Sequence, residues 1–232
     1  KIDISVRFVS QIIGCLIIVG SGLKIVDIGS YSFFQPFELG IFGVFLTVFS
    51  VLCLTNAINF IDGLDGLSPG ILIISLISFI FFIYFEGNSI NNNLFFILLI
   101  SLLAFFLVNI GLTPLKKIFL GDSGSTTLGF IVGWLLIYYT HPDNRLMHPI
   151  LAIWCITLPM FELLAIILRR LKLKKNPFKP DKRHIHHLLL KSKFSEFNTL
   201  IILLISALTL NLSGFAIYKY LGPGPSWLMY IL

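Results

Sequence analysis

Long apolar runs separated by short polar islands set the shape of this chain. Runs fall at residues 7–20, 39–55, 70–85, 94–110, 126–140, 148–168 and 200–220, and a last stretch at 226–232 begins an eighth. Each approaches the roughly 20 apolar residues that cross a bilayer as a helix. The pattern predicts an all-α, polytopic integral membrane helix bundle of about 7–8 transmembrane helices, forming a single domain over residues 1–232. Pro114, Pro149 and Pro159 are expected to kink or end helices locally. The chain opens at Lys1 without a leader and ends mid-run at SWLMYIL. It therefore reads as a segment of a longer protein, truncated at the N-terminus and at the C-terminus.

Composition agrees with the pattern. Of 232 residues 56% are hydrophobic and only 12% charged, with a mean hydropathy of +0.94. Soluble domains carry about 25% charged residues. Cys15, Cys53 and Cys155 all fall inside apolar runs and read as buried side chains. Charge adds an orientation. Fourteen of the 17 Lys and Arg fall in the N-terminus and the islands 56–69, 111–125 and 169–199; the alternate islands hold only Lys24, Arg145 and Lys219. The positive-inside rule places the first set in the cytoplasm. Loop parity then brings the three most polar islands to that same face.

In NAINFIDGLDGL, Asn56, Asn59, Asp62 and Asp65 recur every three residues, which on a helical turn stacks oxygen ligands along one side. Hard oxygens suit Mg²⁺, with Mn²⁺ as the alternative, bound with a diphosphate. A helix cap is the competing reading of any single Asp here. FLGDSGSTTLG looks like a helix N-terminus, where exposed amides bind phosphate; it contributes Asp122, a second candidate metal ligand, and Phe119, which could equally face lipid. PFKPDKRHIHHL packs three of the five histidines into four residues. Imidazole N–H groups, Lys182 and Arg183 fit pyrophosphate better than they fit zinc, which would want Cys partners. An orientation signal or lipid headgroup binding would also explain the basic run. Glu162 sits inside an apolar run, a functional candidate by default, with a pairing to Arg169 or Arg170 as the plainer alternative.

These three motifs, in this order and covering nearly the whole chain, resemble the polyprenyl-phosphate N-acetylhexosamine-1-phosphate transferases (glycosyltransferase family 4). The HIHH form after PFKPD is closer to the branch using undecaprenyl phosphate and GlcNAc-1-phosphate than to the branch using MurNAc-pentapeptide. The resemblance implies transfer of a sugar-1-phosphate from a UDP-N-acetylhexosamine to polyprenyl phosphate. UMP would be released, and a polyprenyl-diphospho-sugar made to initiate cell-surface polysaccharide. It implies Mg²⁺ held at Asn59 and Asp122, uracil bound by Asp65 and stacked by Phe119, and donor phosphates or sugar contacted by His184, His186 and His187. Asp62 matches an acid needed for activity whose role stays open. Asp3 matches the last position of an earlier DDxxD motif whose leading pair precedes Lys1, so this segment alone is expected to be inactive. Close relatives often have Asp at the position of Glu162. The implied setting is multi-pass in the bacterial cytoplasmic membrane among membrane lipids, compatible with a homodimer and without a nucleic-acid partner. The rival reading is an ion-coupled transporter using Asp62 and Asp122. Transport sites lie near the midplane in broken helices, whereas these acids sit at the ends of runs.

Overall fold

A computed structural model describes residues 4–31, 36–174 and 184–232. Six of the seven long runs, and the last stretch, each become one helix: α1 (Ile4–Gly20), α2 (Ile41–Ile61), α3 (Leu67–Phe85), α4 (Asn93–Asn109), α5 (Gly121–Thr140), α9 (Glu196–Leu221) and α10 (Pro223–Ile231). The run at 148–168 differs. It divides into α6 (Pro149–Cys155) and α7 (Thr157–Lys172), bent by 75°. A short helix, α8 (Ile185–Lys191), carries the histidines. Among the described residues three helices, α2, α3 and α9, are long and apolar enough to cross a membrane, or four if α6 and α7 form one bent span. Helices α1 and α4 are apolar but shorter.

Local chemistry sets the ends. The Asn92 side chain accepts from Leu94 N at 2.9 Å to start α4, and Ser195 accepts from Asn198 N at 3.1 Å to start α9. Pro149 opens α6, where a missing N–H costs nothing. Pro159 explains the bend. It lacks the N–H that would reach the Cys155 carbonyl one turn earlier. Asn211 Nδ2 on α9 donates to that carbonyl instead, at 3.3 Å, and also to Ser78 Oγ at 3.0 Å. Thr157 Oγ1 donates to the Trp154 carbonyl at 2.8 Å. A broken helix survives in an apolar core when side chains take up the freed backbone groups in this way.

Helices α2 and α5 form the tightest pair. Gly129 permits it: a Cβ there would lie 2.9 Å from Thr55 Cα. Small residues bring backbones close where lipid offers no hydrophobic drive to association. Phenylalanines fill the opposite half of the core, with Phe82 and Phe215 stacked 5.1 Å apart and Phe79 and Phe95 5.6 Å apart. On α4 only Phe95, Leu102 and Asn109 are buried, a seven-residue stripe facing the bundle. Its remaining faces expose Leu94, Ile97 and Ile100. An apolar exterior of this extent suits a bilayer rather than water.

Candidate active site

The C-terminal end of α2, the N-terminal ends of α3 and α5, and the C-terminal end of α4 meet at one end of the bundle. The acidic motifs lie there. Asn59 is still helical, in the last turn of α2; Asp62 caps that helix, and Asp65 lies in the turn that follows. Gly66, at φ +81°, turns the chain into α3. Asp122 occupies the first turn of α5, as the FLGDSGS motif predicts.

The two motifs touch. Asn59 Nδ2 donates to Ser125 Oγ at 2.9 Å and reaches Asp122 Oδ1 at 3.4 Å. Arg7 on α1 approaches Asp122 Oδ2 at 3.4 Å. Lys117 pairs with Asp65 at 2.9 Å. Asp62 is left beside two other acids. Burial, then the charge of Asp122 and then that of Asp65, push its carboxyl up to about 6. A raised carboxylate value marks stability that is present at low pH and lost as pH rises through about 6. Asp62→Asn is therefore expected to raise the Tm of the cation-free protein at pH 7.5 by roughly 2–4 °C, the shift that 1 kcal/mol produces at this chain length. Below about pH 4, where the carboxyl is protonated in the folded and the unfolded chain alike, it should change little. Thermal unfolding at the two pH values checks this; equal shifts at both would remove the electrostatic explanation.

The expected ladder of four oxygen ligands is only partly present. Asn56 is buried and donates to Gln11 Oε1 at 3.1 Å and to the Leu52 carbonyl at 2.8 Å. A three-residue step falls 60° short of a full helical turn, so Asn56 and Asn59 diverge. The helix ends before Asp65, which turns toward Lys117.

The histidines arrive from α8. His184 and His186 stack at 5.6 Å, and His186 and His187 lie 4.2 Å apart. His186 is almost wholly buried against Gly63: a Cβ on that glycine would come within 2.5 Å of its Nε2. Burial and the neighbouring His187 and His184 push the His186 imidazole down to about 4. It is thus neutral in ordinary conditions, able to donate or accept through one nitrogen each. Glu162 has a structural partner here: its Oε1 accepts from Ile185 N at 2.8 Å and lies 3.3 Å from His184 Nδ1. This acid on α7 thus fixes the start of the histidine helix. Phe119 is 74% exposed at the same end as Asp122. Asp3, Lys179, Lys182 and Arg183 lie outside the described residues.

Some of the site's residues were not foreseen from sequence. Ser125 and Arg7 hold Asn59 and Asp122. Asn109 matters more. Buried at the end of α4, it accepts from Gly66 N at 2.6 Å and donates to the Ile118 carbonyl at 2.7 Å, tying the turn after Asp65 to the strand of chain before Phe119. An Asn closing an otherwise apolar run was the available signal.

Among the described residues no three His, Cys, Asp or Glu side chains converge as a closed metal cage. The oxygens of Asn59 and Asp122, with the crowded charge on Asp62, instead match an open site of the kind Mg²⁺ occupies with few protein ligands, water and substrate phosphate. In the present arrangement Asn59 turns its nitrogen to Asp122. Rotating the amide would present oxygen to a cation and leave Ser125 able to donate to it.

The chain resembles known proteins over its whole length. Residues 1–140, which hold Asn59, Asp62, Asp65, Phe119 and Asp122, match the model for "Glycosyl transferase family 4". Across the whole chain the protein is 33% identical over 236 aligned residues to the undecaprenyl-phosphate alpha-N-acetylglucosaminyl 1-phosphate transferase of Salmonella typhi, and 32% identical to that of Escherichia coli strain K12. The Haemophilus influenzae protein of the same name is 39% identical over 99 residues, 42% of this chain and 28% of its own length. The chain spans 64% of the length of the Salmonella and Escherichia proteins. Since the matched region covers more than half of the chain and contains both acidic turns that the fold brings together, the chain belongs to glycosyl transferase family 4.

Proposed function

We propose that this chain carries the donor half of an enzyme that transfers GlcNAc-1-phosphate from UDP-GlcNAc to undecaprenyl phosphate, releasing UMP. The observation that carries the reading is the meeting of Asn59, Asp62 and Asp122 at one end of an apolar bundle beside an exposed Phe119. Curated relatives are named for that transfer. The alternative of ion-coupled transport draws no support from the family match. The bundle is read as multi-pass in a bacterial cytoplasmic membrane. Helices α1, α4 and α5 would join the three long spans and the bent pair to make seven crossings, and the acidic end would face the cytoplasm by the charge asymmetry.

The residues divide the work by chemistry. Asn59 and Asp122 would hold Mg²⁺, which when bound offsets charge on the donor diphosphate. Phe119 would stack the uracil, with Asp65 accepting from its N–H. Arg7, positioned against Asp122, would meet a phosphate oxygen. The histidine helix would close over the donor, with His187 nearest solvent and His186 buttressing the Asp62–Gly63 turn. Membranes carrying the intact enzyme, given UDP-GlcNAc and undecaprenyl phosphate, should release UMP and form lipid-linked sugar. Failure to form product, or equal product from unrelated UDP-sugars alone, would overturn the assignment of donor.

A further inference from the structure

Helix α1 reaches the acidic end of the bundle with little holding it. It packs chiefly on α2. Cys15 is its one buried side chain among those described, and Val6, Val9, Ile13 and Ile17 are each more than half exposed. Apolar contact alone lets such a helix roll and slide, because lipid serves its faces as well as another helix does. Yet α1 carries Arg7, whose guanidinium has to meet Asp122. That contact is long, at 3.4 Å, and the carboxylate is largely exposed. An ion pair of this kind is too weak to fix the helix by itself.

One turn further along α1, the two helices share a polar contact. Arg7, Gln11 and Cys15 follow at four-residue steps and lie along one face. Helix α1 runs antiparallel to α2, so the face meets its partners in reverse order. Cys15 packs in the cluster of Val51 and Trp134, Gln11 meets Asn56, and Arg7 meets Asp122 beside Asn59. The buried Asn56 amide donates to the Leu52 carbonyl of its own helix at 2.8 Å and to Gln11 Oε1 at 3.1 Å. The Leu52 carbonyl fixes which end of that amide is nitrogen, so Gln11 has to answer with oxygen. Gln11 Nε2 and Asn56 Oδ1 find no partner among the described residues. An apolar pair of the same shape would pack these helices about as well. What the amides supply is direction: a hydrogen bond selects one rotation and one depth, as a buried Asn selects register in a coiled coil.

We propose that Gln11 and Asn56 are positioning residues for sugar-phosphate transfer, their amide contact setting the phase and depth of α1 on α2 and so holding Arg7 at Asp122. The proposal rests on the transfer reaction proposed for this chain. Asn56 acts through Arg7 and not on substrate, although it stands three residues from Asn59 in the same motif.

The test is steady-state kinetics of the intact enzyme in membranes with UDP-GlcNAc varied. Arg7 faces a donor phosphate, so its displacement shows in the KM for UDP-GlcNAc. Gln11→Met should raise that KM about fivefold, which corresponds to about 1 kcal/mol, the scale of one hydrogen bond between membrane helices. A loss of folded protein would instead lower the maximal rate and leave KM as it was. Asn56→Leu should raise KM by a similar factor, and the double variant no further, because both remove one contact. The double variant leaves neither amide unpaired, so it should insert at least as well as either single variant while its KM stays high. In an Arg7→Gln background, Gln11→Met should leave KM where Arg7→Gln alone puts it. Gln11→Asn keeps an amide but is one methylene short of Asn56, and it reads the same way if the apolar variants do not insert. No product from the wild-type enzyme overturns the transfer reading and the proposal with it. With product formed, three results overturn the proposal alone: an unchanged KM in the Gln11 variants, increases that multiply in the double variant, or a Gln11→Met effect that persists without Arg7.

Discussion

Asp122→Asn in the intact enzyme should lower sugar-phosphate transfer on the order of 10²-fold or more, the scale of losing one preorganised electrostatic contact at a reacting centre. The substitution keeps the shape of the side chain and removes its charge. Asp122 is 84% exposed, so its removal from the core ledger is small and the fold should hold. What changes is the pairing. Arg7 and Asn59 both converge on its carboxylate at 3.4 Å, and the neutral amide cannot anchor the guanidinium or hold a divalent cation in the same way. Product formation against Mg²⁺ concentration is the measurement. A variant with near-normal turnover and an unaltered Mg²⁺ profile would remove Asp122 from the site.

Gly63→Ala should cost about tenfold or more in transfer while leaving the protein inserted, a loss comparable to misplacing a catalytic group by about an ångström. The added methyl would meet His186 Nε2 at 2.5 Å and Cε1 at 3.0 Å. The imidazole has little room to retreat, because it is buried, stacked on His184 and packed against the tilted ring of His187. Either the turn carrying Asp62 moves or the histidine helix does. His186→Ala in the same background opens space for the methyl. Partial recovery in the double variant, relative to the expected product of the two single losses, would identify the contact as the cause. Strict multiplicativity would show that the two residues act apart.

Much of the fold could be read from the sequence because membrane helices announce themselves by uninterrupted apolar length. Six of the seven long runs became single helices and Pro159 marked the one that breaks, but only three of the described helices, or four with the bent pair, are long and apolar enough to cross a membrane, not the expected seven or eight. The sharpness of that break was not legible, since it depends on Asn211, 52 residues further along, taking up the Cys155 carbonyl. Helix α8 was hidden for a related reason: seven residues are too few to show a period, and its start is fixed from outside by Glu162. The three motifs were legible as chemistry, and Asn59 and Asp122 do meet. Their partners were not. Arg7 looked like an orientation charge, Ser125 like one of several small residues after Asp122, and Asn56 like a fourth ligand although it turns away into the α1–α2 contact. Distance along the chain says nothing about which polar groups fold onto one another; only the helix phase and the crossing of α2 with α5 decide it.

Asn109 has a consequence for how variation in this protein should be interpreted. One amide grips the backbone of both turns that border the candidate nucleotide site, through Gly66 on one side and Ile118 on the other. Those two segments therefore move as a single body, although 43 residues separate Gly66 from its partner in sequence. Changes in either segment that disturb its backbone will be transmitted to the other, so losses at Asp65 and Phe119 should not multiply as independent lesions do. A designer wishing to alter the base that the site accepts cannot retune one turn at a time; the unit of change is the pair, with the amide as its rivet.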